Sequence, residues 1–349
     1  MRVLQVTHRY PPQTGGVETH VREVSERLVD RGHHVTVVSA DAGSSGHRRE
    51  RREGVVVERM SAVAPGGTTH VAPGVFRAVR EADADIVHAH NYHAIPALFA
   101  ALGTDGDPFV LTTHYHGRSA SSLRNLLLTA YRPVGRRVVR GADRVIAVSN
   151  WEKRRLQSDF SVDAAVIPNG LDIARFANAT PTDRPEPYLL CVGRLERYKG
   201  VQHVIRALPE LEGFDLLVAG TGPYREELER VATAEGVRDR TEFLGFVDHD
   251  RLPRLYAGAS AYLLLSSFEA YGMTVAESLT AGTPCVVRRG SALDDWTSDS
   301  GVVGVEGVDS RLIAEAVEAA RSRDPDPGSV QSWDSVVDEL LMEYNQVTG

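Results

Sequence analysis

The sequence predicts an α/β protein made of two doubly wound, Rossmann-like domains that face a central cleft. Three observations support this fold class. Short apolar runs alternate with helical patterns along the whole chain of 349 residues. The alternation stops in a segment rich in Pro, Thr and Asp, roughly residues 173–187, and then starts again. A chain of this length is long for one domain and natural for two.

The first domain is predicted to cover residues 1–172. Its first strand, VLQVT, leads into a helix from about Val17 to Arg31 and then into the strand HVTVVSA. The runs DIVHAH, FVLTTH, RVIAVS and AAVIPNG follow as further strands. A long helical stretch, about Ser121 to Arg140, lies between the second and third of these four. Strands that alternate with helices in this way form a parallel sheet covered by helices.

The second domain is predicted over residues 188–330, after a linker at residues 173–187. Helical patterns separate its strand-like runs, which are YLLCVGR, FDLLVAG, TEFLGF, AYLLLSS and TPCVV. The amphipathic run SWDSVVDELLMEYNQV predicts a C-terminal helix within residues 331–349, which we expect to pack back on the first domain. Ligands of doubly wound folds bind at the carboxyl ends of strands, so functional residues are expected in the segments that follow them.

Composition and charge limit the classes of protein that the chain can belong to. The apolar runs are far shorter than the roughly 20 residues that a membrane span needs, and the first residues predict a strand and a turn. Cys191 and Cys285 lie in apolar runs, so buried thiols of a cytoplasmic protein are expected. Residues 1–180 hold 23 Lys and Arg against 18 Asp and Glu, and the remainder holds 16 against 29. This asymmetry suggests different partners for the two halves, and nucleic acid is not among those predicted.

The segment EAYGMTVAE holds two carboxylates eight residues apart. The apolar run before it predicts a buried strand, which places Glu269 on the following loop. Gly272, Met273 and Thr274 then form a helix N-terminus, with Glu277 about one turn inside and on the same face as Met273. Free amides at a helix N-terminus attract anions. The segment therefore presents a carboxylate, then unpaired backbone amides, then a second carboxylate. This arrangement suits a ligand with hydroxyls at both ends and phosphates between them, namely a nucleotide sugar.

Two cations follow the first strand of the second half, in GRLERYKG. Arg194 and Lys199 are five residues apart, and the order of a P-loop is absent. Beside a strand end they can clamp a diphosphate, since Arg presents a planar fork and Lys a compact charge. The alternative is a solvated loop with two ordinary charges.

Glycines follow two other strands. Gly15 and Gly16 in RYPPQTGGVETHV would let the chain approach a ligand closely, although a plain strand–helix turn explains them equally well. Gly220 and Gly222 in VAGTGP lack the third glycine of a dinucleotide fingerprint, because Arg225 stands in its place. We interpret this segment as a strand–helix turn near a nucleotide.

Histidines cluster after two strands, in VHAHNYH and TTHYHG. Zinc is conceivable there, but the two segments offer no paired Cys, no H-E-x-x-H and no neighbouring carboxylate. The pairs Asp83 and Asp85 in DAD, and Asp248 and Asp250 in DHD, fit the approach to a strand and a helix N-cap. No metal site is therefore predicted.

Taken together, these segments resemble the retaining glycosyltransferases of family 4, which have the GT-B fold. The resemblance covers nearly the whole chain in order: the Gly-Gly loop, the T-x-H segment Thr112–His114, VIPNGLD, GRL…KG, AGTGP, FLGFV and the E-x7-E pair. Each motif alone is modest, but seven of them in the right order on two α/β halves are highly specific. The implied activity is transfer of a sugar from a nucleoside-diphosphate sugar, which is a substrate, with no cofactor.

The resemblance also implies roles for the donor-side residues. Glu277 would hold the ribose hydroxyls, and Glu269 would lie by the donor sugar. Arg194 and Lys199 would neutralise the diphosphate, so that its departure requires no metal. Further contacts of the substrate are expected from loop and helix-end residues: Gly15, Gly16, Asn169, Gly193, Gly220, Val247, Gly272, Met273 and Thr274.

Retention of configuration is expected through attack on the same face, in which the departing phosphate helps to take the acceptor proton. His114 would contact the donor sugar and polarise the reacting centre. His116 is an alternative, because the two imidazoles share a face if the strand continues outward. His114, Glu269, Arg194 and Lys199 are thus the predicted catalytic residues, and His116 is a predicted substrate contact.

The acceptor is predicted to be a lipid, a lipid-linked glycan or another hydroxyl compound of cell-surface synthesis. Residues 117–142 carry six arginines and no acid. Arg132, Arg136 and Arg140 recur every fourth residue, although Pro133 can break or kink the helix. The apolar stretch consists of Leu123, Leu126, Leu127 and Leu128. A basic amphipathic helix is typical of a segment that lies on an anionic bilayer, where each Arg contributes roughly 1 kcal/mol.

Three alternatives accompany this prediction. In the first, the leucines of residues 117–142 pack on the sheet and the arginines face water. In the second, the chain is a catalytically silent GT-B partner subunit, and in the third it is a sugar-nucleotide epimerase. A silent relative would be expected to have lost some of the predicted catalytic residues, all of which are present. The expected location is the cytoplasm, with peripheral attachment to the inner face of the cell membrane.

Overall fold

The computed structural model describes residues 1–13, 15–41, 47–63, 70–117, 122–248, 250–326, 328 and 330–349, with residues 122–124 described by their backbone. The chain divides into two units. The first contains Met1–Gly170 and Trp333–Gly349, and the second contains Leu171–Ser332. The C-terminal residues therefore belong to the first unit. The segment 173–187, predicted as a linker, is part of the second unit.

Each unit contains one sheet. The strands are β1 (Arg2–Thr7), β2 (His34–Ser39), β3 (Arg48–Arg52), β4 (Val55–Arg59), β5 (Ile86–His90), β6 (Phe109–Thr112), β7 (Arg144–Ala147), β8 (Ala165–Val166), β9 (Tyr188–Val192), β10 (Asp215–Ala219), β11 (Thr241–Gly245), β12 (Ala261–Leu264), β13 (Cys285–Arg288) and β14 (Val302–Val305). Among the described residues, the first sheet has the order β3-β4-β2-β1-β5-β6-β7-β8 and the second β11-β10-β9-β12-β13-β14. Neighbours pair in parallel except β3, which is antiparallel to β4.

Helices connect these strands. They are α1 (Gly16–Asp30), α2 (Gly74–Arg80), α3 (Ile95–Gly103), α4 (Ser122–Gly141), α5 (Asn150–Phe160), α6 (Ile173–Ala177), α7 (Val201–Ala207), α8 (Arg225–Ala234), α9 (Leu252–Gly258), α10 (Met273–Thr280), α11 (Leu293–Trp296), α12 (Ser310–Arg321) and α13 (Trp333–Thr348). The short helix α6 lies within the segment predicted as a linker. No helix in the described ranges combines the length and hydropathy needed to cross a membrane.

The inner strands of each sheet, such as β5, β6 and β12, are buried on both faces, as expected for parallel strands covered by helices. In the first unit Val6, Val87 and Leu111 belong to one core cluster, and in the second unit Leu189 and Val286 belong to another. Burial of one such side chain contributes about 1.5–3 kcal/mol. The continuous apolar runs in the sequence therefore predict these strands well, because every residue of such a strand faces protein.

The edge strand β3 was not predicted from the sequence. All five of its residues, RRERR, are exposed, so it has no apolar alternation. Arg59 of β4 stabilises this edge, since its guanidinium donates to Glu50 of β3 at 3.0 Å and to Asp41 at 2.8 and 2.9 Å. Charged side chains on an edge strand discourage pairing with other chains.

The C-terminal helix α13 packs on the first unit. Tyr344 is fully buried there, and its hydroxyl accepts a hydrogen bond of 3.2 Å from Gln5 Nε2 and lies 2.6 Å from His88 Nδ1. At the N-terminal end of α13, Asp334 and Asp338 form ion pairs with Arg31 of α1. The last residues of the chain thereby complete the sheet face formed by β1 and β5.

Candidate active site

The order of the second sheet reverses between β9 and β12. From β9 the chain continues to β10 and β11 on one side, whereas β12 begins the other side. Doubly wound sheets bind ligands at the carboxyl ends of the strands at this reversal. The loop after β9 carries Arg194 and Lys199, and the loop after β12 carries Glu269. The fold therefore brings three predicted catalytic residues to the expected edge of the sheet.

Lys199 and Glu269 form an ion pair across these two loops. The Lys199 Nζ donates to Glu269 Oε1 at 2.6 Å, and the side chains are only 19% and 17% exposed. Burial by itself would lower the pKa of the Lys199 amine, but attraction to Glu269 and Tyr198 outweighs burial, so the pKa is raised. The ammonium is thus a fixed positive charge in a poorly solvated place.

Close packing holds the two loops together around this pair. Tyr198 stacks on Phe268 with ring centroids 4.3 Å apart and planes 8° apart, and Ser267 N donates to the Tyr198 carbonyl at 2.8 Å. Gly200 has φ 81°, and a Cβ there would lie 2.2 Å from the Leu265 carbonyl oxygen. Only glycine satisfies both conditions, which explains the KG of the motif.

Arg194 differs from Lys199 in its surroundings. Its side chain is 74% exposed, and its Nη2 pairs with Glu196 Oε1 of the same loop at 2.7 Å. Exposed pairs of this kind contribute little to stability. The guanidinium therefore remains able to exchange Glu196 for an anionic ligand.

The glycines near β9 and β10 serve contact between loops. Gly193 and Gly220 have φ of 143° and 138°, and a Cβ on Gly220 would lie 1.9 Å from the Gly193 carbonyl oxygen. A Cβ on Gly222 would lie 2.3 Å from the Leu195 carbonyl oxygen. The two glycines of VAGTGP thus let the loop after β10 lie directly on the loop after β9. A dinucleotide-type turn is not needed to explain them.

Glu277 lies one turn inside α10, as the spacing predicts. Tyr256 of α9 donates its hydroxyl to Glu277 Oε2 at 2.8 Å. Burial raises the pKa of Glu277 to about 7, although the Tyr256 hydrogen bond and Arg175 of α6 act in the opposite direction. A carboxylate in such surroundings gains from accepting further hydroxyl groups.

The start of α10 is built on Gly272, whose φ of 98° suits glycine. A Cβ there would lie 2.9 Å from Leu293 Cδ2. Thr274 Oγ1 accepts a hydrogen bond of 2.6 Å from Tyr262 Oη, and Met273 is half-buried. Val247, predicted to meet the base, is half-buried just after β11. The first amides of an α-helix have no partner within the helix, so this end suits an anion.

In the first unit, His114 follows β6 in a strained turn. Its φ is 44°, in the left-handed region that a histidine rarely adopts, and it is 7% exposed. Burial and neighbouring imidazoles hold its pKa well below the usual value, so the ring is neutral. Backbone strain of this type accumulates at functional sites.

Glu152 of α5 holds this turn and was missed by the sequence prediction. Its carboxylate accepts hydrogen bonds from Thr113 Oγ1, from Tyr115 N and, at 2.6 Å, from Val148 N. Two of these donors, on Thr113 and Tyr115, flank His114 in the chain. Burial raises the pKa of Glu152 to about 7 against the opposing effect of the hydrogen bonds. The SNWE signature, a Ser N-cap with Glu three residues later, is the local signal that marks this residue.

His116 does not share the surroundings of His114. It is half-buried and stacks on His93, with ring centroids 4.5 Å apart. His114 instead lies 5.2 Å from His20 and 6.1 Å from His90, measured between ring centroids. The positive φ of His114 separates the two, because the strand ends at Thr112 and does not continue outward. The condition under which the two imidazoles would share a face is therefore not met.

The remaining predicted contacts of the first unit lie around α1. Gly15 precedes α1, and a Cβ on it would lie 2.3 Å from Glu18 Oε2, whereas a Cβ on Gly16 would meet open space. Asn169 is buried, and its Oδ1 lies 2.8 Å from His20 Nδ1. The Asn169 amide is therefore engaged with an imidazole within the unit.

Three arginines of α4 have partners on α5. Arg132 pairs with Asp159 Oδ1 at 3.1 Å, and Arg136 and Arg140 donate to the carbonyls of Asp159 and Phe160 at 3.3 and 2.9 Å. The four-residue spacing thus serves the C-terminal end of α5, where cations are favourable. The helix runs through Pro133 without ending there.

Two described leucines of α4 do not pack on the sheet, whereas Leu128 is half-buried. Leu126 and Leu127 are 67% and 60% exposed. The alternative that placed these leucines on the sheet is therefore wrong for both. Residues 118–121 of the predicted basic segment lie outside the described residues, as do the side chains of 122–124.

Comparison with known proteins relates both units to sugar-transferring enzymes. Residues 14–175 match the family described as Glycosyltransferase Family 4, and residues 172–324 match Glycosyl transferases group 1. A glycogen synthase of Mycobacterium tuberculosis is 32% identical over an alignment 366 residues long, gaps included. The alignment covers 95% of this chain and 88% of that protein. A GDP-mannose-dependent alpha-(1-6)-phosphatidylinositol monomannoside mannosyltransferase of the same species is 30% identical over 347 residues, with 90% and 88% covered.

Solved structures share the fold. Sucrose-phosphate synthase from Thermosynechococcus elongatus superposes with a TM-score of 0.81 at 19% identity, covering 99% of this chain and 98% of that one. Anabaena HepE in complex with UDP and glucose superposes with a TM-score of 0.78 at 18% identity, covering 99% and 100%. The fold, the order of motifs and the relatives agree, and the chain belongs to glycosyltransferase family 4, the group 1 glycosyl transferases of the GT-B fold.

Proposed function

We propose that this glycosyltransferase is a retaining, metal-independent enzyme that moves a sugar from a nucleoside-diphosphate sugar to a lipid or lipid-linked acceptor. One observation carries the donor assignment: the partly buried Lys199–Glu269 pair lies where the second sheet reverses its order. A fixed ammonium at this edge offers a diphosphate its counter-charge. Its carboxylate partner is the group that a sugar hydroxyl would contact.

The chemistry follows from the charges. The bond between the sugar C1 and the diphosphate oxygen breaks, and a bond from C1 to the acceptor oxygen forms on the same face. The acceptor proton passes to the departing phosphate oxygen. Negative charge grows on the diphosphate during this step, and Lys199, Arg194 and the amides at the start of α10 stabilise it without reorganisation. Glu277 holds the ribose.

The relatives support a nucleotide-sugar donor. The name of the mannosyltransferase states GDP-mannose as its donor, and HepE is described with UDP and glucose. These proteins differ in the base of their nucleotide, so this chain's base has to be measured. We propose that hydrogen bonds around Val247, after β11, select it.

A lipid acceptor is supported by the surface of α4 and by the mannosyltransferase, whose name gives a phosphatidylinositol monomannoside. Leu126 and Leu127 present an exposed apolar tip, and Arg137 is exposed about three turns further along the same helix. Apolar and cationic side chains together bind anionic bilayers. We propose that the enzyme works on the inner face of the cell membrane through this tip.

A donor panel tests the proposal. The purified enzyme is incubated with UDP-, GDP- and ADP-sugars, with and without lipid acceptors, and release of nucleoside diphosphate is measured. We expect one nucleotide class to be consumed, with faster release when acceptor is present and an anomeric configuration in the product equal to that of the donor. The Lys199→Ala variant should fail with every donor. Lys153→Ala changes the only other lysine of the chain, which pairs with Asp163 on the surface, and should behave as wild type.

Other outcomes select the alternatives. Consumption of no donor and no acceptor-dependent release would favour a silent partner subunit. Release of free sugar with an altered configuration and without any acceptor would favour an epimerase. A product of inverted configuration would contradict the retaining mechanism.

A further inference from the structure

Three histidines that are distant in the sequence converge in the first unit. His20 lies on α1, His90 ends β5 and His114 follows β6. One ring nitrogen from each lies within 4.8 Å of those of the other two. All three side chains are buried, with exposures of 3%, 0% and 7%. Packing of an apolar core does not require three imidazoles whose ring nitrogens lie this close together.

Hydrogen bonds turn one nitrogen of each of two rings away from the cluster. His20 Nδ1 lies 2.8 Å from Asn169 Oδ1, and His90 Nε2 lies 2.6 Å from Gln5 Oε1. The Gln5 amide nitrogen donates to Tyr344 Oη, so its oxygen is the acceptor for His90. Each ring then carries its proton on the outer nitrogen and a lone pair on the inner one.

The inner nitrogens are poorly satisfied. His90 Nδ1 and His114 Nε2 are buried and have no hydrogen-bond partner among the described residues. A buried polar atom without a partner costs about 1–3 kcal/mol, so this arrangement would be unfavourable unless it served a ligand. The hydrogen bond of His90 to Gln5 leaves a lone pair on the inner His90 nitrogen, which can accept a metal ion or a hydrogen-bond donor.

We propose that His20, His90 and His114 bind one first-row transition metal ion of the Zn²⁺ type. Neutral imidazoles are preferred ligands of Zn²⁺, Cu²⁺, Ni²⁺ and Co²⁺, and three protein ligands leave a position for water. In known metal sites, an oxygen bonded to the outer ring nitrogen orients each metal-binding histidine. The amide oxygens of Asn169 and Gln5 have this position beside His20 and His90. Small movements of the side chains bring the nitrogens to the roughly 2.0–2.1 Å that a zinc–imidazole bond requires.

Occupancy of this site has a consequence for catalysis, which rests on the proposed function. His114 is the predicted contact of the donor sugar, and a metal bound at its Nε2 would withdraw this imidazole from that role. Zn²⁺ therefore acts as an inhibitor of transfer. The diphosphate is neutralised by Lys199 and Arg194 in the second unit, so transfer itself needs no metal.

Binding is tested with Co²⁺ as the probe, because tetrahedral Co²⁺ absorbs visible light whereas Zn²⁺ does not. The full chain is freed of metal with EDTA, exchanged into chelator-free buffer and titrated with Co²⁺. We expect one bound ion per chain with a visible absorption band that Zn²⁺ displaces. His20→Gln should weaken binding at least about 100-fold, and Gln5→Leu, which keeps all three ligands, about 10- to 100-fold. His93→Gln removes a nearby histidine outside the cluster and should leave binding unchanged.

A second measurement avoids dependence on the folding of variants. The ring ¹⁵N resonances of the labelled wild-type chain should show large Zn²⁺-induced shifts at one nitrogen in each of three histidine rings, and no such shift in the other rings. Absence of stoichiometric Co²⁺ binding in the wild type, or equal affinity in a folded His20→Gln variant, would overturn the metal site.

The effect of the metal on sugar transfer is measured separately from metal binding. If the wild type binds Co²⁺ and transfers sugar, Zn²⁺ should inhibit wild type at concentrations that leave His20→Gln unaffected, each compared with its own metal-free rate. Binding without inhibition would overturn the regulatory consequence. If the wild type binds Co²⁺ but transfers no sugar, the proposed function is wrong and the metal site is supported.

Discussion

Lys199 is the residue on which the donor assignment depends most. Replacing Lys199 with Ala removes the ammonium from the edge of the second sheet and leaves Glu269 without its partner at 2.6 Å. Because the lost charge acts mainly in the transition state, we expect kcat to fall on the order of 10²-fold or more. Turnover is measured by release of nucleoside diphosphate, with circular dichroism to establish that the variant folds.

Arg194→Ala provides a comparison at the same loop. Arg194 pairs with Glu196 on the surface of the loop, and an exposed pair of this kind contributes little, so its loss should hardly affect stability. We expect its turnover to fall in the same way as that of Lys199→Ala. Near-normal turnover in either variant would contradict the diphosphate assignment, and Lys153→Ala is the matched control.

The pKa of Glu277, raised to about 7 by burial, predicts pH-dependent binding. Below about pH 7 the carboxyl is protonated and accepts ribose hydroxyls poorly, and above it the carboxylate accepts them well. We expect affinity for the nucleoside diphosphate to rise between about pH 6 and about pH 8 in the wild type. Glu277→Gln should show weaker binding that changes little over this range, as measured by titration calorimetry.

Stability should respond in the opposite direction. The folded-state pKa of Glu277 is raised from 4.5 to about 7, so its contribution is complete below about pH 4.5 and is lost as the pH rises to about 7. Glu277→Gln should therefore reduce the decline of unfolding free energy over this interval. An unchanged decline, measured with denaturant at several pH values, would argue against a raised pKa.

At the scale of elements, Glu152 links helix α5 to the turn that holds His114. Replacing it with Ala leaves the Thr113 hydroxyl and the amides of Tyr115 and Val148 without their acceptor. A buried group that loses its partner costs about 1–3 kcal/mol, so the free energy of unfolding should fall by several kcal/mol. Denaturant unfolding measures this loss.

The activity of Glu152→Ala should also fall, because His114 leaves its strained conformation. Asp163→Ala is the control, since Asp163 is an exposed acid that pairs with Lys153 near the end of the same helix. A variant as stable and as active as the wild type would refute a positioning role for Glu152.

The exposed tip of α4 carries the membrane prediction. Leu126→Ser combined with Leu127→Ser and Arg137→Glu should lower co-sedimentation with anionic vesicles several-fold, because apolar insertion and charge attraction both disappear. This test does not change the arginines that contact α5, because replacing them would also disturb the packing of α4 on α5. They are Arg132, Arg136 and Arg140.

The control for the α4 experiment uses neutral vesicles. Wild-type protein should bind them less than anionic ones. Equal binding of wild type to both, or unchanged binding of the tip variant to anionic vesicles, would show that α4 does not attach the enzyme to a membrane.

At the scale of the whole molecule, transfer is expected to be independent of divalent cations. The second unit provides Lys199 and Arg194 for the diphosphate, and the metal site proposed for the first unit is inhibitory. Activity should therefore persist, or rise, in excess EDTA. Loss of transfer in EDTA with recovery on adding Mg²⁺ or Mn²⁺ would show that the cations of the protein do not suffice.

Local patterns predict eleven of the fourteen described strands and the positions of the motifs on them, but not β3, β4 and β14. Continuous apolar runs predict buried parallel strands, because such strands face protein on both sides. Glycine-containing loops between strands and helices predict where a ligand can approach. Glu269 and Glu277 were predicted on the loop after a strand and one turn into a helix, and the structure places them there. Their binding roles remain predictions.

Contacts between distant segments were decided by tertiary structure alone. Lys199 and Glu269 are 70 residues apart, and they meet because β9 and β12 are neighbours in the sheet. His20 joins His90 and His114 because α1 packs beside the ends of β5 and β6. The arginine stripe of α4 is directed to α5 by helix packing. Residue spacing defines which side chains share one face of one element, whereas the order of strands and the packing of helices define which faces meet.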